Sequence, residues 1–330
     1  MRMAVAGVSF LLALAGPAHS QNVISAQSGL IHYLEGEAFL GKDAVKLKAA
    51  QYPSIRKEMV FRTGEGRAEV LLTPGAFLRL AENTSIRMKD TDLTNSRVEF
   101  LDGSILIEAA DVSKSHKDNQ VSVELGGATI FLRKAGVYRI DSDPMRLRVY
   151  DGEAEVRTHN DMAVVKKGKM LPLEGVLTTE KFDPKLGDAF YRWAGRRSES
   201  LATANVWAAK RISDGNVSYG RNGWIYNPYF GMFTFVPMSG TWLSPFRCRY
   251  YSPYAVNQLF YRYYPGNGVG GGYQQQTGWN GPTAISHSSS GYSGYRNTSA
   301  PMPSNPSTTA AAAPSAPVRG GEGRAGGSSR

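Results

Sequence analysis

From residue 68 to residue 157 apolar and polar side chains alternate in short bursts. The bursts are Ala68-Glu69-Val70-Leu71-Leu72, Phe77-Leu78-Arg79-Leu80, Ser104-Ile105-Leu106-Ile107-Glu108 and Gln120-Val121-Ser122-Val123-Glu124. Arg146-Leu147-Arg148-Val149-Tyr150 and Glu153-Ala154-Glu155-Val156-Arg157 continue the series. A period of two puts one face of a strand in a core and the other in water. β-Branched and aromatic residues are frequent, which suits a pleated surface. No helical period is sustained, so residues 21–176 read as an all-β domain.

Turn signals separate the bursts. Pro74-Gly75, Asp102-Gly103, Gly126-Gly127 and Asp151-Gly152 favour positive φ and chain reversal. The second residue of each is glycine, and the steps between them are 28, 24 and 25 residues. Each is followed by a similar strand. A loose repeat of this size suggests stacked β layers, as in a short solenoid or rolled sandwich. Ordinary antiparallel hairpins also produce it.

The period changes after residue 182. Asp183 is an N-cap candidate and Pro184 suits the first helical position. Leu186, Phe190, Trp193, Leu201, Ala204, Ala208 and Ile212 form a helical stripe across residues 183–213, with Lys185, Arg192, Arg196 and Arg197 mostly off it. Such a helix docks on the β-domain; a basic helix lying on a membrane surface is the competing reading. Residues 215–264 are different again. Between Tyr219 and Tyr264 there are 16 aromatic residues in 46 positions, punctuated by glycine and proline. No Asp or Glu occurs from Gly215 to Gly321, while Arg221, Arg247, Arg249 and Arg262 are present. This segment is a small cationic, aromatic-rich module. Residues 265–330 are Gly/Ser/Ala/Gln-rich and too poor in apolar residues for a core, which predicts a disordered low-complexity tail.

The N-terminus bears on the compartment. Arg2 is followed by an apolar run from Ala4 to Ala15, then Gly16-Pro17 and the small-x-small sequence Ala18-His19-Ser20. These are the marks of a secretory signal peptide over residues 1–20, cleaved after Ser20. The apolar run is shorter than the roughly 20 residues a membrane span needs. Periplasm or cell surface is therefore the expected location, without a transmembrane segment. The formal net charge of +10 favours acidic partners, but export argues against nucleic acid. Cys248 is the only cysteine, so no internal disulfide forms. It reads as a small semi-buried residue; flanking arginines lower a thiol pKa, but no nearby histidine completes a thiol nucleophile.

The β region resembles the FecR domain. The stretches that carry the resemblance begin with Gly64-Glu-Gly-Arg-Ala-Glu-Val-Leu-Leu-Thr-Pro-Gly-Ala-Phe-Leu-Arg-Leu and Val98-Glu-Phe-Leu-Asp-Gly-Ser-Ile-Leu-Ile-Glu. They continue with Val121-Ser-Val-Glu-Leu-Gly-Gly-Ala-Thr, Gly136-Val-Tyr-Arg-Ile and Leu147-Arg-Val-Tyr-Asp-Gly-Glu-Ala-Glu-Val, spanning roughly residues 28 to 160 in all. Lys134-Ala135-Gly136 stands where the family usually has Arg-Gly-Thr. The resemblance implies a periplasmic sensor that touches an outer-membrane receptor and signals through an anti-sigma region. Here a signal peptide stands where the regulator segment and membrane helix would be. The expectation is an envelope interaction or sensing module that binds a protein partner and sends no signal across the membrane by itself.

Catalytic constellations are lacking in the sequence. His32, His116, His159 and His287 show no metal-ligand spacing, and one cysteine excludes thiolate zinc sites. Asp90/Asp92 and Asp141/Asp143 are spaced for weak calcium binding but read better as turn residues. Gly64-Glu-Gly is too short for a nucleotide loop, and no nucleophile elbow occurs. No enzyme, cofactor or metal is expected. The candidate ligand- or partner-binding residues are Trp224, Tyr226, Tyr229, Phe233, Trp242, Arg247 and Arg249, since rings stack on sugar faces and arginines pair with anionic groups. Cell-wall glycan binding through them is the alternative function. The competing reading is that the rings form the core of a small β module.

Overall fold

A computed structural model describes residues 28–48, 51–110, 120–215 and 223–261. The expected signal peptide and the expected tail lie outside the described residues. Among the described residues the protein is mainly β, with two helices. No helix among the described residues is long and apolar enough to cross a membrane.

Most strands join one rolled sheet. The long strands Leu30–Leu40 and Val60–Leu71 pair antiparallel along their whole length. At one end Val60–Leu71 pairs with Ser85–Thr91, and at the other with Ala76–Leu80. This ribbon therefore carries the sheet from one half into the other. It bends where Gly36 faces Gly66. A Cβ on Gly66 would lie 2.0 Å from the Glu35 carbonyl oxygen, so the close approach of the two backbones requires glycine there.

From the ribbon one half runs through Ser85–Thr91, Asn95–Asp102, Gln120–Leu125, Ala128–Leu132, Glu153–Arg157 and Met162–Lys166. The other runs through Ala76–Leu80, Ser104–Ala109, Gly136–Ser142, Met145–Asp151, Lys169–Pro172 and Glu180–Lys181. All neighbours are antiparallel except Asn95–Asp102 and Gln120–Leu125. Apolar residues from both halves, among them Phe61, Leu78, Ile86, Val98, Ile107, Val123, Ile140, Val149 and Val165, meet in one buried core. This is the rolled-sandwich form of the stacked-strand expectation.

The glycine repeat has a structural meaning. Gly75, Gly103, Gly127 and Gly152 all adopt positive φ. Gly75 and Gly127 sit in hairpins between paired strands. Gly103 and Gly152 instead lie where the chain passes from one half of the sheet to the other, because the strands flanking them are not paired. Tight reversal, expected at all four, holds at two; the others are corners. Hairpin and corner alternate, which gives the spacing its regularity.

The long helix spans Ala189–Ser213. It starts later than expected. Asp183 caps only a local turn, accepting the Lys185 N–H at 2.9 Å. Asp188 caps the helix, accepting the Tyr191 N–H at 2.9 Å, and its second carboxylate oxygen takes a guanidinium N–H of Arg139 from the sheet. A tertiary ion pair thus selects the start, and Leu186 is left 77% exposed outside the helix. The helix docks on the outer face of the second half-sheet through Phe190, Trp193, Arg197, Leu201 and their neighbours.

The aromatic-rich segment forms two hairpins, Gly223–Asn227 with Met232–Val236 and Thr241–Leu243 with Arg249–Tyr251, followed by the short helix Pro253–Tyr261. Buried amides tie both hairpins to the long helix. Asn205 Nδ2 donates to the carbonyls of Phe235 (2.9 Å) and Tyr251 (3.0 Å), and its Oδ1 accepts the Tyr251 N–H at 2.7 Å. Asn227 Nδ2 donates to the Ala204 carbonyl at 2.9 Å. Helix and hairpins together form a cap over one sheet face.

Candidate interaction surface

The capped face holds a buried charge network. Strand alternation sends Glu69, Arg79 and Glu108 outward from three adjacent strands, with Glu69 directly opposite Arg79 and Glu108 one diagonal step away, opposite Phe77. Arg79 Nε donates to Glu69 Oε2 and Arg79 Nη1 to Glu108 Oε2, both at 2.8 Å. The cap completes the row. Arg197 Nη2 donates to Glu69 Oε1 at 2.9 Å, Ser198 Oγ to Glu108 Oε1 at 2.8 Å, and Ser244 Oγ also donates to Glu108 Oε1. Buried His32 places Nδ1 3.2 Å from Glu69 Oε1, though without hydrogen-bond geometry. Burial alone would raise the Glu69 carboxyl, but Arg197 and Arg79 outweigh it and hold the group well below the usual carboxylate range.

These groups are shut away from solvent: Glu69, Arg79 and Glu108 are fully buried. They hold the cap on the sheet and offer nothing to a ligand. Arg197, expected mostly off the helix stripe, is buried because Glu69 pairs with it and its guanidinium lies 3.6 Å from the Tyr33 ring centre. That a partner 128 positions distant decides its burial explains why local periodicity missed it.

The seven candidate residues are divided by the fold. Trp224 and Phe233 are core residues. Trp224 stacks edge-on to Phe77 at 4.9 Å between ring centres and donates its indole N–H to the Leu72 carbonyl at 3.3 Å. Tyr226 and Trp242 are half-buried, packing on Phe233 (5.4 Å) and on Tyr250 (5.0 Å). Tyr229, Arg247 and Arg249 are exposed. The segment therefore does not present one face of rings, and the expectation of a seven-residue binding surface is corrected: desolvation of Trp224 and Phe233 against Phe77 and Leu71 seals the cap. Cys248 is half-buried, as its reading as a small semi-buried residue expects, and burial pushes its thiol up to about 11.

The acidic pairs are turn and ion-pair residues. Asp92 accepts the N–H (2.7 Å) and hydroxyl (2.8 Å) of Thr94. Asp141 is taken up by Arg139 (2.9 Å), Arg146 (3.2 Å), Arg148 (2.6 Å) and Ser104 (2.7 Å). Among the described residues, no group of three or more His, Cys, Asp or Glu side chains converges to hold a metal.

The outer face of the first half-sheet carries no cap among the described residues. Cross-strand register aligns Arg97, Ser122, Phe131, Glu155 and Val164 across five strands. Arg133 and Arg157 flank the Phe131 ring, their guanidinium carbons 4.9 and 5.1 Å from its centre. Both pair with Glu155, Arg133 Nε at 3.0 Å from Oε2. Hydrogen bonding from Arg133 lowers the Glu155 carboxyl. Arg87 pairs with Glu99 at 2.7 Å along the same face. Arginines stacked on a ring, amid paired charges, make an ordered, half-exposed surface able to meet carboxylates and apolar groups together.

Residues 59–165 match the family model described as FecR protein. That stretch is a FecR domain. It covers about a third of the chain and contains the open face except for Lys166 at its edge. Strand Leu30–Leu40, the last strands of the second half-sheet and the cap lie outside the match. No curated protein matches the chain. Two crystal structures of a proposed anti-sigma factor from Parabacteroides distasonis ATCC 8503 are similar to it. One is 15% identical with a TM-score of 0.32, the match covering 38% of this chain and 59% of that one. The other is 13% identical with a TM-score of 0.33, covering 46% and 73%. Glu69, Arg79 and Glu108 belong to the FecR domain, while Arg197, Ser198 and Ser244 reach into it from outside.

Proposed function

We propose that this protein is an exported, non-enzymatic interaction or sensing module whose FecR domain binds a protein partner through the open face around Phe131. The observation that carries the reading is the asymmetry of the sheet. One outer face is sealed by the cap over a neutralised charge row, and the other displays Arg133, Arg157 and Glu155 about a half-exposed ring. The FecR resemblance implies contact with an envelope protein. Full chain immobilised on resin and incubated with detergent-extracted envelope proteins tests the proposal. A protein retained by wild type and lost with Arg133→Glu/Arg157→Glu, in a variant of unchanged melting temperature, supports it. Equal retention by both contradicts it.

One observation favours the alternative of cell-wall glycan binding. Tyr229 is 78% exposed, its ring centre is 6.2 Å from that of Trp207, and Arg247 and Arg249 are also exposed. Co-sedimentation with isolated sacculi, abolished by Tyr229→Ala/Arg247→Ala/Arg249→Ala, would select this reading. Trp224 is not a suitable target, because it is buried and its truncation would cost the cap's packing about 3–5 kcal/mol.

A further inference from the structure

The rolled sheet ends on the strand Met162–Lys166. Its one sheet neighbour among the described residues is Glu153–Arg157. Beyond Lys166 the chain turns at Gly168, and the next strand, Lys169–Pro172, pairs elsewhere, with Met145–Asp151. The hydrogen-bond phase of the terminal hairpin is fixed at both ends. The Thr158 N–H donates to the Asp161 carbonyl at 2.9 Å, and the Lys167 N–H to the Gly152 carbonyl at 3.1 Å. In an antiparallel ladder the bonded pairs alternate. Asp161, Ala163, Val165 and Lys167 therefore direct their backbone groups inward to the neighbouring strand. Met162, Val164 and Lys166 direct theirs out of the sheet. Their side chains lie on the uncapped face, where Met162 is 66% and Val164 46% exposed. Backbone groups without a sheet partner among the described residues, beside exposed apolar side chains, make an edge ready for strand addition.

We infer that this edge pairs with the same edge of a second copy, antiparallel about Val164. The sequence is self-complementary in that register. Val164 meets Val164 of the other copy, and Met162 meets Lys166, so the three outward-facing residues fall opposite one another and can exchange every free N–H and C=O. Ala163 meets Val165. Asp161 meets Lys167 at both ends of the pair, and no lysine opposes a lysine. Lys167 lies 3.0 Å from Asp151 in its own chain, but both are exposed enough to exchange that weak contact for the new one. Edge lysines normally repel an incoming strand; here the two-fold register places each against Met162 or Asp161. The result is an isologous dimer with a continuous sheet through two FecR domains.

The test is sedimentation equilibrium of the full chain, with monomer mass 35.9 kDa. One strand pair is a small interface, so the series should run to roughly 1 mM chain. A concentration-dependent rise toward twice the monomer mass is expected. Val164→Lys, which sets like charges against each other on the two-fold axis, should abolish it. Asp161→Lys should weaken it by at least about tenfold in Kd, and Asp161→Lys/Lys167→Asp should restore it. Circular dichroism melting of each variant confirms the fold. A chain that stays monomeric throughout, or a dimer indifferent to Val164→Lys, overturns the inference. Loss of partner retention in Arg133→Glu/Arg157→Glu would leave this result untouched, so the two proposals fail separately.

Discussion

Replacing Arg197 by methionine removes the one cation that the cap contributes to the buried row while keeping most of the side-chain volume. On the sheet side, Glu69 and Glu108 face a single guanidinium, Arg79. Without Arg197 the row carries one uncompensated negative charge at fully buried sites, and Glu69 Oε1 keeps only the His32 contact. Breaking a buried pair by deleting one partner typically costs about 3–5 kcal/mol. Urea unfolding followed by tryptophan fluorescence reads this directly, since Trp193 and Trp224 are both cap residues buried against the sheet. The midpoint should fall with the slope unchanged. A second consequence follows from linkage. In the wild type the Glu69 carboxyl is held low, so its contribution is complete above the unfolded value of about 4.3 and is lost as pH falls through the folded value. In Arg197→Met that carboxyl rises and takes up a proton in the folded state. The destabilisation should therefore be smaller at pH 4 than at pH 7. Glu69→Gln/Arg197→Met should recover part of the loss. A cost below about 1 kcal/mol at pH 7, or a cost independent of pH, would refute the reasoning.

Gly66→Ala should destabilise by about 1–3 kcal/mol, because its Cβ would lie 2.0 Å from the Glu35 carbonyl at the ribbon bend; thermal melting checks it. Acid titration of the wild type should show stability level at neutral pH and falling below about pH 5, since the Glu69, Asp141 and Asp188 carboxyls are all held low against burial by Arg79, Arg139, Arg197 and backbone or hydroxyl donors. Cys248 should react with a thiol reagent at pH 8 far more slowly than free cysteine, because burial raises its thiol to about 11; labelling at the free rate would contradict the packing.

Much of the β architecture was legible because strand alternation and glycine turns are local signals. The outward positions Glu69, Arg79 and Glu108 could be read as one polar stripe, and periodicity assigned that stripe to water. Water is in fact replaced by Arg197, Ser198 and Ser244, residues 90 to 136 positions away from the glutamates they meet. Local capping signals misplace the helix start for a similar reason. Asp183-Pro184 has the better local capping sequence, but only Asp188 meets Arg139. The aromatic segment announced a cluster of rings without saying what lay beneath it. Its partners, Phe77, Leu71 and the Leu72 carbonyl, are supplied by the FecR domain. Exposed Tyr229 and core Trp224 look alike in sequence because both sit among Gly, Pro and other rings.

The claim that the open face binds a protein partner is tested most directly by site-specific photocrosslinking in cells that make the full chain. A photoreactive phenylalanine analogue is placed at Phe131, with Tyr254, which is 80% exposed on the cap, as control. A discrete protein adduct formed from position 131 and absent from position 254 is the predicted result. Adducts only from position 254, or only glycan-linked material, would contradict it.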